Sequence, residues 1–111
     1  MEISTENVGQ VCVIDLVGRL EASNSTQLKD KVSELIRDGQ VNLLVDMSQI
    51  DFIDSSGLGA LVTCLRSASK AGGGLKITSL QEYTRKLFTT TRLDRVFDLF
   101  EAREAALKSF H

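Results

Sequence analysis

Two stretches in the centre of the chain decide the fold: Val41-Asn42-Leu43-Leu44-Val45-Asp46-Met47 and Asp54-Ser55-Ser56-Gly57-Leu58-Gly59. The first is apolar and of strand length, which predicts a buried strand. The second leads into an apolar stripe with helical spacing, which comprises Leu58, Leu61, Val62 and Leu65. The centre therefore predicts a strand, a short polar turn and a helix that ends at Gly72-Gly73-Gly74.

Further strands are predicted on both sides of this centre. They are Met1–Thr5, Val11–Val17 closed by Gly18, Leu75–Thr78, and an edge strand at Val96–Phe100. The first two strands form a hairpin around the turn Asn7-Val8-Gly9-Gln10. Residues 50–54 are predicted to be a short apolar connector that contains acidic residues.

Three more helices are predicted. The first begins near Asn24 and Gln27, which resemble a capping box, with Ser23 and Ser25 as rival caps. Its apolar stripe comprises Leu28, Val32, Leu35 and Ile36. A short helix around Tyr83, Leu87 and Phe88, and a last helix from Ala102 to Phe110, complete the set. Strands that alternate with helices over 111 residues predict one α/β domain, residues 1–111, with a mixed sheet of four to five strands and about four helices.

Loops at the carboxyl ends of such strands are the usual ligand and partner sites. Two loops qualify here, Gly18 to Ser25 and Phe52 to Leu58. They form one polar surface only if the order of the strands places them side by side, and that adjacency stays open at this level.

Composition and charge narrow the class of protein. Hydrophobic residues make up 42% and charged residues 25%, which is ordinary for a globular domain, and the net charge is −2. The absence of a basic surplus argues against a nucleic-acid partner. The longest uncharged stretch, Ser55 to Leu65, is too short to cross a membrane, and the acidic start of the chain lacks the features of a signal peptide. We therefore expect no membrane contact and a cytoplasmic location.

Enzymatic and metal chemistry find little support in the sequence. Cys12 and Cys64 form no CxxC pair, and the one histidine, His111, is the last residue. A hydrolase elbow requires G-x-S-x-G, a phosphate loop requires G-x-x-x-x-G-K-[ST], and neither pattern occurs around Ser55 or Ser56. We expect no enzyme activity, no metal and no cofactor.

The segment Asp54-Ser55-Ser56 has two interpretations. An Asp or Ser before a helix accepts hydrogen bonds from free backbone N–H groups, which is simple capping. Alternatively, one serine accepts a phosphate, because the first turn of a helix tolerates an anion. A phosphate there would spare the fold and act on a partner.

Four segments together resemble a STAS domain of the bacterial anti-sigma factor antagonist type. They are Gly18-Arg19-Leu20-Glu21 after a strand, Val45-Asp46, Asp54-Ser55-Ser56-Gly57-Leu58-Gly59, and Gly72-Gly73-Gly74-Leu75. Their order and spacing are kept over essentially the whole chain. Glu21 stands where the family commonly has Asp, so the charge is retained on a side chain that is one methylene longer.

The resemblance implies partner switching. The unmodified protein would bind an anti-sigma factor that is also a serine kinase, and this binding would free a sigma factor. The kinase would phosphorylate Ser55, and a phosphatase would reverse the modification. The implied partner-binding residues are Glu21, Ser23, Asn24, Asp54, Ser56, Gly57 and Leu58. An alternative is a constitutive STAS adaptor in a signalling or transport complex, without phosphorylation.

Overall fold

A computed structural model describes residues 1–110 of the chain. Its centre is a five-stranded mixed sheet in the order β1-β2-β3-β4-β5. The strands are β1 Glu2–Val8, β2 Val11–Leu20, β3 Asn42–Ile53, β4 Gly74–Thr78 and β5 Leu99–Phe100. The helices are α1 Ser25–Arg37, α2 Ser55–Lys70, α3 Glu82–Thr90 and α4 Arg103–Lys108, and a 3₁₀ turn covers Leu93–Arg95. The predicted α/β class, with a mixed sheet and four helices, is confirmed.

The sheet is covered on both faces, which explains why its central strands are so apolar. Alternate side chains of β2 point to opposite faces. Ile14 and Leu16 belong to the main core together with Leu28 of α1 and Leu61 of α2. On the other face, a smaller cluster contains Val11, Val13, Leu44 and Ala106, the last from α4.

Two strands run further than the sequence suggests. Gly18 was predicted to close β2, and residues 50–54 were predicted to be a connector, but β2 continues to Leu20 and β3 to Ile53. The two strands pair in parallel along this extension, with register shifts between Asp15 and Val17 and between Gly18 and Arg19. Gly18 lies at such a shift with φ +114°. That backbone angle suits glycine, so Gly18 serves a bulge and not a strand end.

The carboxyl-terminal elements are shorter than predicted. The edge strand covers Leu99 and Phe100 alone, because the 3₁₀ turn precedes it and Val96 is exposed. The last helix ends at Lys108. The single domain of residues 1–111 stays a prediction.

Arg103 fastens the short helix α4 to the sheet. Its guanidinium donates to the Asp46 carboxylate at 3.1 and 2.9 Å and to Glu6 at 2.5 Å, and it also contacts Asp15. The Asp46 side chain is only 7% exposed. Burial alone would raise the pKa of the Asp46 carboxyl, but hydrogen bonds from Ser48 and Arg103 outweigh burial and hold the pKa below its ordinary value.

Candidate functional site

The two predicted loops lie side by side. Leu20 and Ile53, the last residues of β2 and β3, pair across the sheet. Because these strands are parallel, the segments that follow them leave the sheet at the same edge. The backbone N–H of Asp54 also donates to the carbonyl of Leu20 at 3.3 Å. The order of the strands thus joins residues 21–24 and the start of α2 into one surface.

Asp54 links the two loops through both of its carboxylate oxygens. Oδ1 accepts the backbone N–H of Gly57 at 2.9 Å, which caps α2, and Oδ2 accepts the backbone N–H of Ala22 at 3.1 Å. These bonds, foremost the one from Gly57, lower the pKa of the Asp54 carboxyl. The capping interpretation is therefore correct for Asp54, and the same side chain also braces the neighbouring loop.

Asn24 stabilises its own loop and does not cap α1 with its side chain. Its Oδ1 accepts the backbone N–H of Glu21 at 2.9 Å, and its Nδ2 donates to the carbonyl of Arg19 at 2.8 Å. The predicted capping box of Asn24 and Gln27 is wrong, because α1 begins without a side-chain cap bond. Ser23 is exposed at the tip of this loop, and Ser25 is buried at the start of α1.

Ser55 and Ser56 are the first two residues of α2, and both are exposed. The positive end of the helix dipole lies here, with backbone N–H groups of the first turn directed outward. The Asp54 carboxylate accepts the N–H of Gly57, two positions beyond Ser55. The site can therefore accommodate an anionic group on a hydroxyl without displacing the core.

Gly57 and Leu58 differ from the other predicted partner-binding residues, because the structure buries them. A Cβ on Gly57 would lie 2.5 Å from the carbonyl oxygen of Leu20 and 2.8 Å from Cγ1 of Ile53. Only glycine permits this close approach of α2 to the sheet. These two residues support the surface from below, and a partner cannot reach their buried atoms directly.

An aromatic pair, the half-buried Phe52 and the exposed Tyr83, lies at the ends of β3 and α3 that flank this surface. The rings of Phe52 and Tyr83 stack with centroids 6.5 Å apart and planes 20° apart, and Arg19 lies over Phe52 at 4.1 Å. Tyr83 lies on the predicted short helix, α3, and is 54% exposed. On α3 the buried residues are Thr84 and Phe88, four residues apart. Residues four apart lie on one face of a helix, so Tyr83 lies on a different face from Thr84 and Phe88. A helical stripe through residues 84 and 88 would have predicted that Tyr83 is exposed.

Over residues 1–110, no group of three or more metal-ligating side chains lies close enough together to hold an ion. Burial raises the pKa of the Cys64 thiol to about 12, which makes it a poor nucleophile. In the same part of the chain, no helix has both the length and the apolar character needed to cross a bilayer.

Comparison with known proteins identifies the family. Residues 2–106 match the STAS domain. The anti-sigma-B factor antagonist of Bacillus subtilis is 26% identical over 95 residues, which covers 86% of each chain.

Solved structures show the same fold. An anti-sigma factor antagonist from Mycobacterium paratuberculosis superposes with a TM-score of 0.88 at 23% identity, over 98% of this chain and 92% of that one. The anti-sigma factor antagonist SpoIIAA in its unphosphorylated form gives 0.73 at 23% identity, over 96% and 94% of the two chains. The chain therefore belongs to the STAS domain family, and it is a homologue of the bacterial anti-sigma factor antagonists over nearly its full length.

Proposed function

We propose that this protein is a cytoplasmic anti-sigma factor antagonist that works by partner switching and catalyses no reaction itself. Unmodified, it binds an anti-sigma factor that is also a serine kinase and so releases a sigma factor. The kinase phosphorylates Ser55, binding ends, and a phosphatase restores the active form. Glu21, Ser23, Asn24, Asp54 and Ser56 form the partner surface around Ser55, while Gly57 and Leu58 support it.

The observation that carries this proposal is the position of Ser55. It is exposed at the first residue of α2, next to a second loop that the Asp54 carboxylate holds in place. A phosphate on such a hydroxyl meets the positive end of a helix and leaves the core untouched. The phosphate would then act on the partner that binds at this surface. SpoIIAA, which shares the fold, has also been solved in a phosphorylated form.

The repulsion between a phosphate on Ser55 and a partner carboxylate is large enough to act as a switch. A phosphoserine adds roughly −1.5 to −2 charges. Opposite one partner carboxylate at about 5 Å and an effective dielectric constant of ~20, each unit of charge costs about 3 kcal/mol. A hundredfold loss of affinity requires only about 2.7 kcal/mol. One modified hydroxyl is therefore enough to end binding.

Phosphorylation of the purified protein by its cognate anti-sigma kinase and ATP tests the assignment of the acceptor. Mass spectrometry should locate one phosphate on Ser55. Ser55→Ala should abolish the modification, whereas the matched variant Ser56→Ala should still be modified. Modification that persists in Ser55→Ala would remove Ser55 as the acceptor.

The switch itself is tested by binding. Ser55→Ala should bind the kinase with the affinity of the unmodified protein, and Ser55→Asp should bind at least about tenfold more weakly, since one added charge already costs more than the 1.4 kcal/mol that tenfold requires. Calorimetry with both variants measures this. Equal affinities for the two variants would contradict the switch and favour the constitutive adaptor.

A further inference from the structure

A cleft lies at the end of the sheet opposite Ser55, where β2, β3 and β4 begin. Its lining includes the first residues of these three strands, which are Val11, Asn42 and Gly74. The turn between β1 and β2 forms one wall, and the end of α4 with Phe110 forms the other. The cleft consists of two adjoining cavities of about 340 and 310 Å³, which share Asn42 and Phe110. We name it the amino-end cleft.

The two cavities of the amino-end cleft differ in character. The 340 Å³ cavity has an apolar wall that comprises Val8, Val11, Leu107 and Phe110. The 310 Å³ cavity is bordered by the glycine turn at residues 72–74 and by Lys76. Among the described residues, Lys76 alone brings a charge to the lining of either cavity. The cleft therefore has an apolar end and a cationic end, and Asn42 borders both.

Lys76 carries a charge that no described carboxylate balances. Its side chain is half-buried, and Nζ lies 4.6 Å from the centre of the Phe110 ring and 5.9 Å from that of Phe100. Nζ donates to the carbonyl and to the hydroxyl of Ser109, at 3.1 and 2.8 Å. Both acceptors are neutral, and within residues 1–110 Lys76 forms no ion pair. An ammonium group has three N–H donors, so one remains for a further acceptor.

Partial burial makes this ammonium group a favourable site for an anion. Burial removes part of the hydration of a charge, and the aromatic rings and neutral acceptors replace only part of it. A carboxylate that enters the cleft forms a charge-assisted hydrogen bond with Lys76, which is stronger than a bond to a neutral acceptor. The Asn42 side chain has no hydrogen-bond partner within residues 1–110 and is accessible from the cleft, so its amide can donate to the second carboxylate oxygen.

We propose that the amino-end cleft binds a small carboxylic acid with an apolar body. The carboxylate lies between Lys76 and Asn42, and the body packs against the apolar wall towards Leu107. A cavity of this volume with an apolar wall and a few convergent polar groups is typical of small-molecule sites. The cleft lies at the opposite end of the sheet from Ser55, so this inference does not depend on the proposed partner switch.

The lining disfavours other classes of ligand. A cationic ligand would meet Lys76 and would find no carboxylate among the lining residues. A phosphate dianion would find a single positive charge. It would also find no free backbone donors in the glycine turn, because the N–H groups of Gly72, Gly73 and Gly74 already donate to backbone carbonyls. One ammonium group beside an apolar wall matches a monocarboxylate.

Nuclear magnetic resonance titration of the isotope-labelled full chain at neutral pH tests the site. The probes are phenylacetate, the neutral phenylacetamide, the cation phenethylamine, and acetate. Phenylacetate should shift the backbone amides of Val11, Asn42 and Gly74 and leave those of Ala22 and Ser55 unchanged. It should bind at least about tenfold more tightly than phenylacetamide, which lacks the charge, and than acetate, which lacks the apolar body. Phenethylamine should cause no shifts in the cleft.

Substitutions of the two polar residues locate the carboxylate. Lys76→Met should weaken phenylacetate binding at least about tenfold, because it removes the charge. Lys76→Arg keeps the charge and should still bind, which separates loss of the ligand contact from loss of the bonds to Ser109. Asn42→Asp has nearly the same shape and places a second negative charge beside the ligand, so it should also weaken binding at least about tenfold.

Gly74→Leu tests whether the ligand occupies the cavity itself. A Cβ on Gly74 meets nothing within 4 Å, so a leucine side chain can extend into the cleft and should block phenylacetate. Gly59→Leu is the matched control. A Cβ on Gly59 also meets nothing within 4 Å, but Gly59 lies on α2, so this variant should bind phenylacetate normally.

The outcomes separate a built site from a chance contact. Loss of phenylacetate binding in Gly74→Leu and Lys76→Met, with binding kept in Lys76→Arg and Gly59→Leu, would establish the carboxylate site. Acetate or phenylacetamide binding as tightly as phenylacetate would reveal an adventitious additive only. That result, undiminished binding in both Gly74→Leu and Lys76→Met, or a dissociation constant above about 10 mM, would overturn the inference and would leave the role proposed for Ser55 unaffected.

Discussion

Gly57 shows how one residue without a side chain positions the candidate site. Its α-carbon faces the carbonyl oxygen of Leu20, and an added Cβ would lie 2.5 Å from that oxygen. Backbone must move to relieve such a contact, so Gly57→Ala should lower the free energy of unfolding by roughly 1–3 kcal/mol. Urea denaturation measures this change, and an unchanged midpoint would show that α2 has more room than the geometry indicates.

Gly59 is the matched control on the same helix. A Cβ there meets nothing within 4 Å, and the residue is exposed. Alanine is a better helix former than glycine, so Gly59→Ala should raise the free energy of unfolding by up to about 1 kcal/mol. Opposite signs for the two substitutions in the same denaturation experiment would establish close packing, not helix propensity, as the role of Gly57.

At the scale of elements, α4 illustrates how a six-residue helix is held in place. Such a helix is too short to be stable alone, so its contacts with the sheet must hold it. Arg103 provides the polar part by donating to Asp46, Glu6 and Asp15. Arg103→Met should lower the free energy of unfolding by about 2 kcal/mol, because the buried Asp46 carboxylate loses its charged partner.

Lys108→Met is the control for Arg103→Met. Lys108 and Glu104 form an exposed pair on the same helix, with side chains 77% and 82% exposed. Exposed pairs of this kind contribute little, so the loss should stay below about 0.5 kcal/mol. Hydrogen exchange of the α4 backbone should accelerate in Arg103→Met alone. Equal losses of unfolding free energy in Arg103→Met and Lys108→Met would mean that general helix electrostatics, and not the link to Asp46, holds α4 on the sheet.

At the scale of the whole molecule, Asp46 gives the fold a definite acid sensitivity. Its pKa is lower in the folded state than in the unfolded state, since the bonds from Ser48 and Arg103 favour the charged form. Its contribution to stability is therefore complete above the unfolded pKa of about 3.9 and is lost as the pH falls through the lower folded value. Thermal unfolding between pH 5 and pH 2 should show a loss of stability that is smaller in Asp46→Asn. The same pH profile in both proteins would assign the acid sensitivity to other carboxylates.

Much of the fold and part of the site can be read from the sequence. The apolar run of β3 and the stripe on α2 predict a buried strand followed by a helix, because burial imposes those periods on the residues themselves. The exposure of Ser55 follows from its place before that stripe. The strand at Ile50 to Ile53 was predicted to be a connector. It pairs with the bulged end of β2, and its own residues do not reveal that pairing partner.

The sequence by itself determined the elements, the α/β class and the serine at the start of α2, since these depend on local propensity and on the spacing of apolar residues. Only the tertiary structure decided that Leu20 lies beside Ile53, that Asp54 reaches Ala22, and that Arg19 covers Phe52. Each of these contacts joins residues that are more than thirty positions apart. Such contacts depend on the order and register of the strands, which no local pattern specifies.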